Sequence, residues 1–124
     1  MPSADQHRRK AESNRAFLAT ISRADFPEWV ATVAFYTAVH LVERLRAAAG
    51  HGDSTGHDER LNYVLIEHPS IHTAYHALQS TSMLARYQSR ADFFAQFQPE
   101  AVEEVLLNRY LAAVSEYVSR HLDG

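Results

Sequence analysis

The chain has no cysteine, so a disulfide, a thiolate zinc site and a cysteine nucleophile are all excluded. It has four glycines and four prolines in 124 residues, which rules out a collagen-like or low-complexity chain. No apolar run approaches the roughly 20 residues a membrane span needs. The basic N-terminus lacks the apolar stretch of a secretory signal, and a cytoplasmic protein with no membrane partner is expected. The net charge of −3 argues against a chain that neutralises many phosphates at once, although a small local nucleic-acid site remains compatible with it.

What is present is ordinary for one folded domain over residues 1–124: 46% hydrophobic and 22% charged. Charge is uneven. Residues 1–25 hold Arg8, Arg9, Lys10, Arg15 and Arg23 against three acids, whereas residues 99–124 hold two basic residues against five acids. The two ends either pair with each other or form two solvated faces.

Helical periodicity dominates and no strand-like alternation persists. A first helix is expected from about Ser3 to Ile21. Pro27 and Glu28 mark the start of a second, through about Ala49, with Pro27 in the first turn and Glu28 complementing the dipole. Its rows Trp29, Val33, Tyr36, His40 and Val30, Ala34, Leu41, Leu45 cover a wide arc, making it the central helix. The loop from Gly50 to Gly56 ends it, without the pattern of a P-loop. Thr55 and Asp58 resemble a cap for a short third helix through about Glu67, and Ser70 a cap for a fourth from about Ile71 to Tyr87. Asp92–Phe97 reads as a turn that packs its Phe side chains. Pro99-Glu100 opens a last helix to about His121, with a seam of Leu107, Tyr110, Val114, Tyr117 and His121. The expected fold is an all-α antiparallel bundle of four long helices plus one short.

The chemistry-bearing residues sit along that framework. His40 and Glu43, and likewise His57 and Arg60, are three apart and share a helix face; Tyr36 precedes His40 by one turn. A His held by a carboxylate acts as acid or base near neutral pH, and an Arg stabilises a phosphate transition state. His40, Glu43, His57 and Arg60 are thus a candidate metal-independent phosphodiester site, with Tyr36, His51 and Arg86 on the substrate side. The competing reading is a buried hydrogen-bond network that fixes helix packing. Arg86 either pairs with Glu43 or another acid, or faces an anionic ligand. Ser82 has no nucleophile context, since it sits mid-helix on a packed side. His72 and His76 have the i, i+4 spacing of a zinc pair, but there is no HExxH, and a third ligand would have to come from His68 or another helix. No metal or other cofactor is assigned. The aromatic residues Trp29, Phe35, Tyr36, Tyr75, Tyr110 and Tyr117 fall on helical stripes and read as core or interface.

The run Ala34-Phe35-Tyr36-Thr37-Ala38-Val39-His40-Leu41-Val42-Glu43, then His57-Asp58-Glu59-Arg60, then Tyr75, Leu78, Ser82 and Ala85-Arg86-Tyr87 resembles small bacterial members of the HEPN superfamily. The resemblance covers roughly residues 26–120. It implies a helical bundle, often a homodimer. Many members are metal-independent ribonucleases of defence or toxin–antitoxin systems with an antitoxin or other protein partner; others bind nucleotides or are non-catalytic partners. Ribonuclease members carry Arg, four to six residues, then His, with a polar residue after the Arg. Arg46 and His51 meet the spacing, with Ala47 at the polar position and His51 in the glycine loop. Two functions follow as expectations. One is RNA cleavage or processing, in which one of His40 and His57 takes the 2′-hydroxyl proton, the other protonates the leaving oxygen, Arg60 holds the phosphate and Glu43 orients an imidazole. The other is a non-catalytic nucleotide-binding or protein-interaction module whose polar cluster is structural.

Overall fold

The structure is a computed structural model that describes residues 2–124. The helices, in chain order, are α1 (Ala4–Leu18), α2 (Pro27–Ala48), α3 (His57–Glu67), α4 (His72–Tyr87), α5 (Arg90–Gln96) and α6 (residues 99–122). There is no strand among the described residues, and no helix is long and apolar enough to cross a membrane.

Local chemistry explains most of the boundaries. Ser3 and Gln6 form a reciprocal capping box at the start of α1. The helix stops at Leu18, short of the expected Ile21, because side chains take over its last carbonyls. Arg23 donates to the Leu18 and Ile21 carbonyls at 2.8 and 3.0 Å, and the Thr20 hydroxyl donates to Phe17 O at 2.7 Å. Pro27 opens α2 as expected. Gly50, with φ of +89°, closes it in the left-handed region where a side chain is strained.

Two caps differ from expectation. Gly56, not Thr55, precedes α3, and Glu59 reaches back to accept the Thr55 N–H and hydroxyl. Ser70 lies inside a short 3₁₀ turn, Pro69–Ile71, so α4 starts without a side-chain cap. The segment expected to be a turn at Asp92–Phe97 is largely helix α5. Ser89 accepts the Asp92 N–H at 3.1 Å and caps it. Phe93 is fully buried, anchoring this short helix.

Helix α6 contains a π-helical stretch, Val102–Leu111, between Pro99–Ala101 and Ala112–Leu122. Its wider turn brings residues five apart onto one face, and the buried pairs Val102/Leu107 and Leu106/Leu111 have that spacing. The expected seam holds at Leu107 and Val114, which are buried, and at Tyr110 and Tyr117, which are half-buried against the core, but not at His121, which is exposed.

α2 packs against each of the other five helices. Ala31, Ala34 and Ala38 allow close approach, and Val30, Phe35, Val42 and Leu45 supply buried volume. Tyr75 and Leu78 of α4 and Val102, Val114 and Val118 of α6 complete the core. The charged ends do meet: Arg23 Nε lies 2.7 Å from Glu103 Oε2. Trp29 is not part of the core, with 58% of its surface exposed.

Candidate functional site

The polar residues of α2 point two ways. Glu43 turns inward toward α3, where it is 3% exposed. Its Oε1 accepts Arg60 Nε at 2.8 Å, the Ser54 N–H lies 3.2 Å from Oε2, and Arg46 Nε is 3.8 Å away. Arg60, 8% exposed, also donates from Nη1 to His57 Nδ1 at 2.9 Å. Glu43 thus holds Arg60 and not an imidazole. Arg60 is enclosed between Glu43 and His57, so it does not face a phosphate from solvent. Beside it the Tyr75 hydroxyl, fully buried, lacks a well-formed hydrogen bond, and burial pushes its pKa up to about 12.

The Arg60 contact fixes the state of His57. A guanidinium only donates, so Nδ1 must accept and the outward Nε2 carries the proton. Burial, then the positive charges of Arg60 and Arg86, lower the His57 pKa and keep the ring neutral. A neutral ring in this tautomer presents an N–H donor at the surface, not a base.

His40 turns the other way, toward α1. Its Nδ1 lies 3.0 Å from His7 Nδ1, and His7 Nε2 lies 2.9 Å from Asp53 Oδ1. For neutral imidazoles this chain runs in one direction only. The Asp53 carboxylate accepts from His7 Nε2–H, so His7 Nδ1 accepts from His40 Nδ1–H. His40 Nε2 is left with a free lone pair, and burial, followed by the neighbouring His7, lowers its pKa. The two candidate histidines are held in opposite tautomers by different partners. Sequence reasoning missed His7, the partner of His40, and Asp53, the partner of His7. His7 shares a helix row with Ala11 and Leu18 and was findable; Asp53, on the loop, carried no signal.

No family model matches this chain, and no curated protein or solved structure matches it. The chemistry of the site is read from its own geometry.

The remaining candidates divide. Arg86 donates from Nη1 to the Tyr36 hydroxyl at 3.1 Å and from Nε to Ser82 O at 3.3 Å. Neither Glu43 nor any other carboxylate pairs with it among the described residues. Its guanidinium carbon lies 5.8 Å from the Tyr36 ring centre and 5.7 Å from that of Tyr87, which is 79% exposed. His57 lines a cleft of about 390 Å³ with Gly56, Gln79 and Met83. His51 stands apart, packed edge-on against Tyr63 at 5.6 Å. Tyr63 belongs to a second cluster in which His68 Nδ1 lies 2.7 Å from the Tyr117 hydroxyl. Arg46, whose spacing to His51 matched the ribonuclease pattern, is buried on Glu59 and Gly52 O. Ser82 is fully buried and donates to Gln79 O, as a packing hydroxyl does.

His72 and His76 stack at 5.8 Å, and no third ligand joins them among the described residues. The groups that do come close enough to share a cation are His7, Glu43 and Asp53. There, Arg60 already neutralises Glu43, and both His7 nitrogens are engaged. This is a hydrogen-bond network in its present form.

Proposed function

We propose that this chain is an HEPN-like helical bundle that binds single-stranded RNA on the face formed by the outer side of α2 and the C-terminal half of α4. Arg86 carries the reading: an exposed guanidinium with no acid partner among the described residues, set among the exposed rings of Tyr36 and Tyr87, with Trp29 nearby. Successive aromatic faces with an interleaved Arg are what single strands use, each base–ring stack contributing about 1–3 kcal/mol. His57 adds a second phosphate donor through its outward Nε2–H. The Glu43–Arg60 pair supports the face from behind, holding His57 neutral and oriented. A net charge of −3 fits a short, local contact better than a long basic groove.

Metal-independent RNA cleavage is the second reading, and His40 favours it. Its free Nε2 lone pair suits a base for a 2′-hydroxyl, with His7 and Asp53 stabilising the charge it gains. The homodimer, the protein partner and the defence or toxin–antitoxin setting rest on the family resemblance.

The test is anisotropy of a labelled, mixed-sequence single-stranded RNA against wild type and Arg86→Ala, with gel analysis of the same RNA in EDTA. Saturable binding weakened at least about tenfold by Arg86→Ala, without a change in melting, supports the proposal; a charge-assisted contact is worth about 1.5–3 kcal/mol. EDTA-resistant cleavage that His40→Ala abolishes establishes the second reading. Absence of RNA binding by folded protein overturns both.

A further inference from the structure

One carboxylate on this face lacks the donors it needs. Glu28 Oε2 is buried and accepts no hydrogen bond among the described residues. Oε1 is approached by Arg90 Nε at 3.7 Å, too long for a hydrogen bond. The position of Glu28 in the first turn of α2 accounts for a negative charge there, but not for the missing donors. An enclosed carboxylate oxygen without donors is destabilising, so its presence points to a donor arriving from outside.

The surroundings narrow what that donor is. Glu28 lines a cleft of about 230 Å³ with Trp29, Thr32, Ala85 and Arg86. Drug-sized ligands occupy about 300–1,000 Å³, so this cleft suits a single ring system. The exposed Trp29 indole supplies a stacking wall, small Ala85 leaves room opposite, and Arg86 brings positive charge to the rim. The matching ligand is flat, carries N–H donors along one edge and bears an anion.

Among RNA bases, one edge fits. Guanine presents two adjacent donors, N1–H and N2–H, which match the two oxygens of one carboxylate. Adenine and cytosine each place a ring-nitrogen lone pair beside their amino group, which repels a carboxylate. Uracil flanks its single N3–H with carbonyl oxygens.

Resting on the RNA-binding reading above, we propose that Glu28, Trp29 and Arg86 form a guanine-selective subsite. Glu28, its side chain turned so that the enclosed Oε2 faces the cleft, accepts from N1–H and N2–H; Trp29 stacks on the ring, and Arg86 holds the attached phosphate. A bidentate base contact of this kind discriminates by about tenfold or more.

Trp29 is the only tryptophan of the chain, so its fluorescence reports stacking directly. The full chain is titrated with the 5′-monophosphates of guanosine, inosine, adenosine and uridine. The expected result is saturable quenching by the guanosine nucleotide at about tenfold lower concentration than by the adenosine one. Inosine, which lacks the 2-amino group, falls between them. Glu28→Gln should bring guanosine to the adenosine level, while Arg86→Ala weakens all four and keeps their order. Equal binding of the guanosine and adenosine nucleotides, or a preference that survives Glu28→Gln, overturns the subsite. Arg86-dependent RNA binding without base preference overturns the subsite and leaves the RNA reading standing. Saturable quenching by an arginine-rich peptide, with no response to nucleotides, assigns Glu28 to a protein partner and overturns the proposal.

Discussion

Replacing Arg60 by Ala should destabilise the fold more than any other change to the candidate site. The Arg60 and Glu43 side chains are 10% and 4% exposed, with the charged atoms 2.8 Å apart. Removing one member of a buried pair leaves the other charge uncompensated and costs about 3–5 kcal/mol. Two contacts soften the loss: the Ser54 N–H at 3.2 Å and Arg46 at 3.8 Å remain on Glu43. The lower end, about 3 kcal/mol, is therefore expected. For a domain of this size that lowers Tm by roughly 10–15 °C. Urea unfolding followed by circular dichroism gives the same quantity from the midpoint at unchanged slope. The double variant Arg60→Met with Glu43→Gln removes both charges and should recover part of the loss, giving a coupling of about 1–3 kcal/mol. A loss below about 1 kcal/mol in Arg60→Ala would refute the reasoning, because an enclosed carboxylate cannot lose its nearest cation so cheaply. Arg60 would then be free to act on a ligand.

Phe93→Ala should cost about 3–5 kcal/mol, since the side chain that pins α5 is fully buried, while Phe94→Ala should cost clearly less; thermal melts of both check that α5 is docked. Gly50→Ala should cost about 1–2 kcal/mol by conformation alone, because a Cβ there meets nothing within 4 Å at φ of +89°; chemical denaturation measures it, and Gly50→Asn should cost less. Stability should also depend on pH. His40, His57 and His68 have pKa values lowered in the fold, mainly by burial, so the unfolded chain binds more protons as the pH drops. Stability is full above the unfolded value of about 6.5 and falls as the pH drops through the lowered folded values. His40→Asn should flatten that dependence in melts across the range, and an unchanged slope would count against the relay from Asp53.

The α2 helix was legible because its punctuation is strong: Pro27 and Glu28 start it, Gly50 stops it, and its apolar arc is wide enough to demand a central position. α5 is spelled by Ser89 and Asp92, but its dense aromatic run has no helical period over so few residues. The seam of α6 was read with an ordinary helical period, and nothing in composition announces a π turn. At the site, sharing a helix face proved too coarse. His40 and Glu43 are three residues apart, but one leans toward α1 and the other toward α3, so each meets partners distant in sequence. Only Arg60 of those partners was within the expected set. The orphaned oxygen of Glu28 was hidden behind its plausible role as a dipole-matching residue.

The attachments of α1 bear on how the chain matures during synthesis. This helix emerges before the groups that hold it: Asp53 lies 46 residues beyond His7, Glu103 80 beyond Arg23 and Ser115 100 beyond Arg15. At about 5–20 residues per second, Ser115 follows Arg15 by about 5–20 s. Through that interval the apolar stripe of Ala11 and Leu18 can be covered by α2, and once Asp53 is made the His7 end can be held, but the Arg15 end stays unlocked. Nascent α1 is thus a window for chaperones and proteases, and the window closes when α6 arrives.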